Sequence, residues 1–570
     1  MIRKEKPMRR KGKKIIIISF IFLIGLSSYA SVKTPAEEVN YTQYSQHEGI
    51  TQFLSRLDSL SEEMTVQVIG QTKESKSYPP QDIYLCIING EKVDLPSKLN
   101  RNKPTLFLTA SQHGNEQSAK EAALLLIRDL TVGELKPLLQ KLNFLVVPQT
   151  NPYGNFFDQR QNGQDLDLNR DHVKLESPEV IALHKVFQDW MPEVSIDVHE
   201  KGDDFYRVSI GCVSNVNIHP HVQDFSRKKI LTELKDKLKK KGITFYEYLV
   251  SQPMGIDSSA GVRYREEETT DREMMRRYST TDLNDGRNSF GIYETFSFIQ
   301  EGASRHDIET LRERTQWQYF GLRFFMEAVA NNAEKIVDLV STFRKQLLKR
   351  ATTFSDEDLV HLQMEYVRDE KEPEITIERF ERSEEPIRGI LKVDKKAGEP
   401  LTQADIAPYR YPPQSKVTTE EVKNWFPGVS PTLSVSRPLG YIIPGTRTDV
   451  VETILSHGIK VEMFAKDAVL EVEGYEVLDI LPSQYDYLPP QKIEVGKKEL
   501  QTVVKKGDFY VSCAQPAANL IPCLLEPQSQ CGFIRYWKYK LVPEKGSIFP
   551  FYRVVNWRDL PLFPYKNWKK

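Results

Sequence analysis

Cysteine and net charge are both scarce in this sequence, and each shortage excludes a class of protein. Only 5 of the 570 residues are cysteine, and their spacing fits neither a disulfide scaffold nor a zinc ribbon. The 78 lysines and arginines are balanced by 79 acidic residues, so no excess of positive charge suggests a nucleic acid partner. What is left is the composition of a folded globular protein, long enough for two or three domains.

Long hydrophobic runs are lacking too, except near the N-terminus. Residues 15–27 (IIIISFIFLIGLS) are apolar, follow a strongly basic segment and precede small residues at positions 28 and 30. This run is shorter than the ~20 residues of a membrane span, and the order of segments is typical of a secretory signal. We predict a signal peptide over 1–30, export to the periplasm or the medium, and no stable membrane span after its removal. The alternative is an uncleaved signal anchor that tethers the chain to the membrane.

Between residues 40 and 350, buried-strand patterns alternate with helical patterns. Runs such as TLFLTA at 105–110 and VSIDV at 194–198 are short, apolar and followed by polar residues, and FGIYETF at 290–296 predicts a further strand. Stretches with apolar residues at helical spacing separate them. This alternation predicts a three-layer α/β/α domain with a mixed, mostly parallel sheet, whose functional site lies where the strands end.

The composition changes after residue 350. Residues 351–380 are rich in charge and predict a linker, whereas 381–570 contain short alternating runs separated by prolines and turn residues. Such runs are typical of β-strands. We therefore expect a β-rich accessory domain over 381–570, with a β-sandwich as its architecture.

A candidate metal site begins in the loop after TLFLTA. His113 and Glu116 stand three residues apart between a buried strand and a helix, and zinc accepts both imidazole nitrogen and carboxylate oxygen. His199 directly follows VSIDV and is the best candidate for a third ligand. Two histidines and one glutamate would leave an open position for water, as catalytic zinc sites do.

Further motifs follow in an order that resembles the zinc metallocarboxypeptidases, the relatives of pancreatic carboxypeptidase A. The family's His-x-x-Glu motif corresponds to LFLTASQHGNE, its Asn-Pro-x-Gly turn to NPYG at 151–154 and its Asp-x-Asn-Arg motif to DLNR at 167–170. Its strand-ending histidine corresponds to His199 in SIDVHE, and its catalytic glutamate to Glu294 in SFGIYETF. The resemblance covers roughly residues 45–340 and does not extend into the β-rich region.

The resemblance implies one zinc ion per chain, held by His113, Glu116 and His199. It implies that Asp167 hydrogen-bonds a ligating histidine and so sets the tautomer of that ring. It also implies that Glu294 is the general base that takes a proton from the attacking water and returns it to the leaving amine.

Substrate-binding residues are implied in the same way. Asn169 and Arg170 correspond to the pair that binds the terminal carboxylate of the substrate, a task that suits the planar guanidinium fork. Arg160 corresponds to the arginine that polarises the scissile carbonyl. Tyr278 is the nearest candidate for the tyrosine that the family carries on a mobile loop over the substrate.

The expected function is therefore that of an exported bacterial metallocarboxypeptidase, which hydrolyses the C-terminal peptide bond of peptides or proteins. Its partner would be a peptide or protein with a free C-terminal carboxylate. One alternative is a related zinc amidase or peptidase that acts on cell-wall peptides. Another is an inactive binding protein of the same fold.

Overall fold

The computed structural model describes residues 32–75, 78–202, 206–253, 274–304, 308, 310–371, 374–380, 417–481, 492–556 and 559–566. The predicted signal peptide at 1–30 lies outside these ranges. Within them, no helix combines the length and the apolar character that crossing a bilayer requires.

The first part of the chain alternates strands with helices. Its strands are β1 (Met64–Gln71), β2 (Asp82–Ile88), β3 (Thr105–Ala110), β4 (Asn143–Val147), β5 (Val194–Gly202), β6 (Val208–Cys212), β7 (Phe245–Glu247), β8 (Leu249–Pro253), β9 (Met274–Tyr278) and β10 (Phe296–Ser304). Its helices are α1 (Pro35–Glu38), α2 (His47–Leu60), α3 (Gln117–Thr131), α4 (Pro152–Phe157), α5 (Pro178–Trp190), α6 (Pro220–Phe225), α7 (Thr232–Lys241), α8 (Gly286–Gly291), α9 (Leu311–Asn331) and α10 (Ala333–Arg350).

Eight of these strands form one mixed sheet in the order β1-β2-β4-β3-β5-β10-β6-β7. β3 lies parallel to β4 and β5, and β5 lies parallel to β10, whereas β6 is antiparallel to β10. Every residue of β3 and β4 is buried, as expected for strands covered on both faces. The predicted α/β domain with a mixed, mostly parallel sheet is confirmed. His199 and the loop after β3 lie at the same edge, where β5 and β3 end.

The run FGIYETF at 290–296, which the apolar pattern predicts to be a strand, is a helix end and a turn instead. The carboxylate of Asp285 accepts a hydrogen bond from the N–H of Asn288 at 2.8 Å and so caps α8, which ends at Gly291. The chain then turns through Glu294, whose φ is 61°. The strand β10 begins only at Phe296, where the predicted strand ends.

The second part of the chain is rich in antiparallel strands, which confirms the predicted β-rich character. Its strands are β11 (Leu359–Val367), β12 (Ile375–Phe380), β13 (Val417–Val422), β14 (Trp425–Phe426), β15 (Gly428–Ser436), β16 (Gly440–Ile443), β17 (Glu462–Phe464), β18 (Ala468–Leu481), β19 (Lys492–Val504), β20 (Phe509–Ser512), β21 (Tyr552–Val554) and β22 (Leu562–Pro564), and its helices are α11 (Thr448–Ser456) and α12 (Leu520–Leu525). Seven strands form one sheet in the order β19-β18-β21-β16-β20-β17-β22. The finer expectation of a β-sandwich stays a prediction.

The predicted linker at 351–380 is wrong for most of its length. β11 pairs with β15 and β12 pairs with β13, both antiparallel. The alternation of buried and less buried residues along β11 is the period of a half-buried strand, and its acidic residue, Glu365, is exposed. The β-rich region therefore begins near residue 359.

The β-rich region packs directly on the α/β domain. β14 pairs with β9 of the α/β domain, and one continuous apolar cluster includes residues of both parts. Polar side chains also cross the boundary, for example Asn519, whose Nδ2 donates to the carbonyl of Asn217 at 2.9 Å. All five cysteines are reduced and buried.

Candidate metal centre

The loop after β3, which carries His113 and Glu116, is shaped by close packing against the NPYG turn. A Cβ at Gly114 would lie 2.0 Å from the carbonyl carbon of Gly154, so only glycine allows this approach. Nδ2 of Asn155, on α4, donates to the carbonyl of Gly114 at 2.8 Å. These contacts hold the loop at the carboxyl end of β3, beside the end of β5.

The three predicted ligands converge at this edge of the sheet. Nδ1 of His113 lies 2.8 Å from Oε1 of Glu116, and Nδ1 of His199 lies 2.7 Å from Oε2 of the same carboxylate. The two Nδ1 atoms are 3.1 Å apart. All three side chains are buried, and within the described residues this is the cluster whose ligand atoms can meet on one ion.

A metal ion fits this cluster because both Nδ1 atoms are electron-pair donors. Nε2–H of His113 donates to Oδ1 of Asp167 at 3.1 Å, and Nε2–H of His199 donates to Oδ2 of Asp197 at 2.6 Å. An imidazole that holds a metal ion is neutral and has one proton, so with that proton on Nε2 each Nδ1 would present a lone pair toward the other Nδ1 and the carboxylate of Glu116. Such a convergence is favourable around a cation, and two imidazoles with one carboxylate are a known donor set of catalytic zinc.

Asp167 lies where the resemblance implies, between a ligand and an arginine. Its Oδ2 accepts from Nε of Arg160 at 2.8 Å, and Nη1 of Arg160 lies 3.7 Å from Oε1 of Glu116. Burial opposes ionisation of Asp167, but the hydrogen bond and charge of His113, with the charge of Arg160, hold its pKa well below the usual range. Arg160, whose side chain is 30% exposed, therefore borders the metal cluster.

Asp197 holds the second histidine ligand, and sequence patterns did not single it out. It lies two residues before His199 on β5, so both side chains point to the same face of the sheet. Its other oxygen, Oδ1, accepts from Oγ1 of Thr109 at 2.8 Å. The alternation in SIDVH was the signal that could have revealed it, because a carboxylate two residues before a ligating histidine lies on the ligand's side.

Glu301, which the sequence patterns also missed, faces the same space as the ligands. It is the register partner of His199 in the parallel ladder of β5 and β10, and such partners point to the same face. In the same ladder, Oγ of Ser195 donates to Oγ of Ser297 at 2.6 Å. Within the described residues, Oε2 of Glu301 has no hydrogen-bond partner. Burial raises the pKa of Glu301 to about 6; positive charge at His199 opposes this shift and negative charge at Glu116 adds to it.

Glu294, expected to be the catalytic carboxylate, lies at the opposite edge of the sheet. It precedes β10, whose first residue, Phe296, pairs with Val194 at the start of β5. The five residue steps from Phe296 to Glu301 span roughly 16 Å. The carboxylate of Glu294 instead accepts from the N–H of His219 at 2.9 Å and from Nδ2 of Asn519 at 3.2 Å. Its predicted role is therefore wrong, because the strand that carries the metal-facing glutamate starts after it.

Asn169 and Arg170 lie beside the cluster, as the resemblance implies. Oδ1 of Asn169 accepts from the N–H of Gly286 at 2.9 Å, which orients the amide, and its Nδ2 lies 3.1 Å from Nε2 of His199. Because Nε2–H of His199 already donates to its aspartate, the amide N–H of Asn169 can donate to a substrate. Arg170 is exposed at the rim, and its Nη1 donates to the carbonyl of Asn169 at 2.6 Å.

Tyr278 is not placed to cover a substrate. It lies on β9 and is fully buried, its hydroxyl accepts from the N–H of Cys212 at 2.7 Å, and the same hydroxyl donates to Sγ of Cys212 at 3.2 Å. Tyr248, in the short connection between β7 and β8, is the aromatic residue closer to the site. Burial raises its pKa, and the charge of Glu301 adds to the shift while that of Arg170 opposes it.

The chain resembles known proteins over part or most of its length. Residues 50–206 match the family model described as zinc carboxypeptidase. Carboxypeptidase 2 of Trichophyton rubrum is 23% identical over 519 residues, which cover 88% of this chain and 85% of the relative. A metallo-carboxypeptidase from Pseudomonas aeruginosa in complex with (2-guanidinoethylmercapto)succinic acid is 18% identical, covering 53% of this chain and 71% of that chain with a TM-score of 0.36. Carboxypeptidase A of Helicoverpa armigera is 13% identical, covering 56% of this chain and 82% of that chain with a TM-score of 0.38.

The likeness to this family rests on the family model and on the site, since both TM-scores are low. The matched segment contains all three ligands, the Asp167–Arg170 motif and Arg160. The ligand atoms lie within 4.8 Å of one another, as one shared ion requires. Over residues 50–206 the chain matches the zinc carboxypeptidase family.

Proposed function

We propose that this protein is an exported, zinc-dependent metallocarboxypeptidase that hydrolyses the C-terminal peptide bond of peptides or proteins. The observation that carries the proposal is the register of Glu301 with His199. It places a buried carboxylate, with one oxygen that no described residue hydrogen-bonds, beside the three-ligand cluster. A general base must reach the water that the metal activates, and Glu301 is the glutamate that meets this requirement.

Glu301 moves the proton in the reaction. When bound, zinc supplies a Lewis acid that polarises the scissile carbonyl and makes water acidic enough to lose its proton near neutral pH. The carboxylate of Glu301 accepts that proton as the water oxygen forms its bond to the carbonyl carbon. The resulting carboxylic acid then gives the proton to the leaving nitrogen, the C–N bond breaks, and Glu301 is again ionised.

Asn169, Arg170 and Arg160 select and orient the substrate. Arg170 meets a terminal carboxylate with its guanidinium fork, and Nδ2 of Asn169 donates to the same group. A free carboxylate bound there places the last peptide bond next to the cluster. The guanidinium of Arg160, held by Asp167, supports the negative charge that develops on the carbonyl oxygen.

Zinc binding and the requirement for a free C-terminus test the proposal together. The full chain is loaded with zinc and assayed on peptide pairs that differ only in a C-terminal carboxylate or amide. We expect about one zinc per chain by elemental analysis, removal of single C-terminal residues from the free peptides, and no reaction with the amides. Cleavage of amidated peptides would overturn the carboxypeptidase assignment, and a chain that binds no zinc would overturn the metal site.

A pair of histidine variants controls for general damage. His199→Ala is expected to lose zinc and activity. His361→Ala, whose Nδ1 bonds Oγ of Ser434 at 2.8 Å in the β-rich region, is expected to keep both. Equal zinc loss in the two variants would contradict the ligand assignment.

Export rests on the basic and apolar segments over residues 3–27. N-terminal sequencing of the protein recovered from outside the cytoplasm is expected to begin near residue 31. A full-length chain held in the membrane fraction would instead support the signal anchor. No nucleic acid partner is part of the proposal, since the charges of the chain balance.

A further inference from the structure

A buried chain of polar side chains continues inward from the ligand His199. Oδ2 of Asp197, which accepts from this histidine, also accepts from Nε2 of Gln112 at 2.7 Å. Oε1 of Gln112 lies 2.9 Å from Nε2 of His172, and Nδ1 of His172 lies 3.0 Å from Nε2 of His184. We propose that Gln112, His172 and His184 are positioning residues of the metal centre, which act through Asp197 on the orientation and tautomer of His199.

The direction of each hydrogen bond follows from its two ends. An ionised aspartate only accepts, so the amide nitrogen of Gln112 donates and its oxygen accepts from Nε2–H of His172. A neutral His172 with its proton on Nε2 accepts at Nδ1, so His184 donates from its Nε2. The series ends at Nδ1 of His184, which has no partner among the described residues and carries only a lone pair. The tautomer of each histidine in the series is therefore fixed by its hydrogen-bond partners.

Burial makes these assignments stable. Gln112, His172 and His184 are each fully buried, and a buried polar side chain is costly unless it is hydrogen-bonded. Burial lowers the pKa of His172 to about 3 and lowers that of His184 well below its usual value, so both rings are neutral at physiological pH. Rotation of the Gln112 amide would turn its oxygen toward the carboxylate and break both of its bonds.

Close packing leaves the series no alternative position. A Cβ at Gly286 would lie 3.2 Å from Nε2 of Gln112 and 3.2 Å from the ring of His172, so glycine there makes room for both. The ring of His457, from the β-rich region, stands edge-on to His184 with the centroids 5.2 Å apart. Nε2 of His457 donates to the carbonyl of Val173 at 2.9 Å. The β-rich region thus closes the far end of the series.

The two histidine ligands are therefore supported by different means. The aspartate behind His113 is held by Arg160, a charged and partly exposed side chain. The aspartate behind His199 accepts from Thr109 and Gln112, both neutral and buried. Without the Gln112 donor, Asp197 would lose a hydrogen bond that its charge requires in a dry environment. His199 would then lose its fixed ring plane, which metal affinity depends on.

Zinc affinity of the full chain, measured by competition with a chelator, tests the proposal. Gln112→Met removes both hydrogen bonds of this side chain at nearly constant volume. It is expected to weaken zinc binding about ten- to hundredfold, the usual effect of removing a partner of a metal ligand. Gln149→Met is the matched control, because Gln149 is buried and its Oε1 lies 2.8 Å from Nδ1 of His47, away from the series. The control is expected to bind zinc within about twofold of wild type.

A double variant separates a connected series from independent structural effects. His172→Leu alone should weaken zinc binding several-fold, and Gln112→Met/His172→Leu should bind zinc no more weakly than Gln112→Met, because residues in one series are not additive. Losses that multiply, or a Gln112→Met affinity within twofold of wild type, would overturn the proposal. Thermal unfolding of the metal-free variants shows whether they fold. If Gln112→Met does not, His184→Leu decides in its place, and an unchanged affinity there would also overturn the proposal.

This inference rests on the proposed zinc site, and its failure is distinguishable from the failure of that site. A wild-type chain that binds zinc and shortens peptides, beside a Gln112→Met variant with unchanged zinc affinity, would overturn the positioning role alone. A wild-type chain without zinc would overturn both.

Discussion

The ladder of β5 and β10 has a buried glutamate at each end, and the two differ in what surrounds them. At the carboxyl end, Glu301 lies beside His199 and has an oxygen that no described residue hydrogen-bonds. At the amino end, both oxygens of Glu294 accept hydrogen bonds, one of them from Asn519 of the β-rich region. Burial raises the pKa of both, to about 6 for Glu301 and about 7 for Glu294.

A raised pKa therefore does not distinguish a catalytic glutamate from a structural one. The difference lies in the hydrogen bonds, because both oxygens of Glu294 already accept from the protein, whereas Oε2 of Glu301 has no partner among the described residues and is left to accept from water or substrate. The two glutamates also differ in the edge of the sheet at which they lie, since the ligands come together where the strands have their carboxyl ends. Matched substitutions at the two ends can test this distinction.

The largest expected difference is between Glu301→Gln and Glu294→Gln in peptide hydrolysis. Glutamine cannot take a proton from water, so Glu301→Gln should lower kcat by about 10²–10⁴-fold, with zinc content unchanged. Glu294→Gln should keep kcat within a few-fold, because this side chain touches neither ligand nor substrate. Steady-state kinetics on one peptide measure both.

The opposite result would reverse the assignment of the two ends. A Glu294→Gln variant that folds and binds zinc, yet has lost activity while Glu301→Gln has not, would restore Glu294 as the general base. Elemental analysis of both variants shows whether any loss comes from the metal instead.

The ionisation of Glu294, the glutamate at the amino end, should affect how the stability of the protein depends on pH. The pKa of Glu294 rises from 4.5 to about 7 on folding, so below pH 4.5 both states are protonated and the burial costs nothing extra. As the pH rises from 4.5 to 7, Glu294 ionises first in the unfolded state. The free energy of unfolding therefore falls by on the order of 3 kcal/mol in total. Glu294→Gln removes this contribution, so its stability should fall less between these pH values than that of wild type.

Urea unfolding at several pH values between 4.5 and 8 measures this effect as a difference between variant and wild type. Other buried carboxyls, such as Glu179 with its pKa raised to about 7, titrate in the same window and cancel in that difference. The exposed Glu62→Gln serves as the control and should follow wild type. A Glu294→Gln curve parallel to wild type would contradict the structural role.

Two arginines extend the comparison to the substrate. Arg170→Gln, at the carboxyl edge, should lower kcat/KM for peptides with a free C-terminus by about 30-fold, or about 2 kcal/mol for one charge-assisted contact. Arg344→Gln, at the amino edge, should leave kcat/KM within about twofold and lower stability, because its guanidinium donates to the carbonyls of Met191, Pro192 and Tyr293 at 2.8–3.0 Å. Equal losses of kcat/KM in both variants would contradict the assignment of the edges.

The metal ligands could be predicted from sequence because each is tied to a local signal. His113 and Glu116 share a loop between an apolar strand and a helix, and His199 ends a run of buried residues. Local spacing was enough there, since a strand end and a following polar residue define one edge of a parallel sheet. The order of the motifs along the chain then indicated that these three residues hold one metal ion.

The proposed general base, Glu301, could not be found in the same way because two apolar runs follow each other without a clear break. FGIYETF and FSFIQEG both fit a buried strand, and only the cap formed by Asp285 shows that the first begins inside a helix. Asp197 and Gln112 were missed for another reason. Their side chains meet between β5 and the loop after β3, which no spacing along one segment reveals.

The smallest expected effect concerns Tyr278, which is predicted to cover the substrate and instead lies buried on β9. Tyr278→Phe removes the hydroxyl that accepts from the N–H of Cys212, and leaving this buried donor without a partner should cost about 1–2 kcal/mol of stability. Activity should not change, because the ring is fully buried on β9 and the guanidinium of Arg227 already lies 4.6 Å from its centroid. Urea unfolding and steady-state kinetics measure the two effects side by side. A Tyr278→Phe variant with wild-type stability and a raised KM would mean that this tyrosine leaves the core to contact substrate.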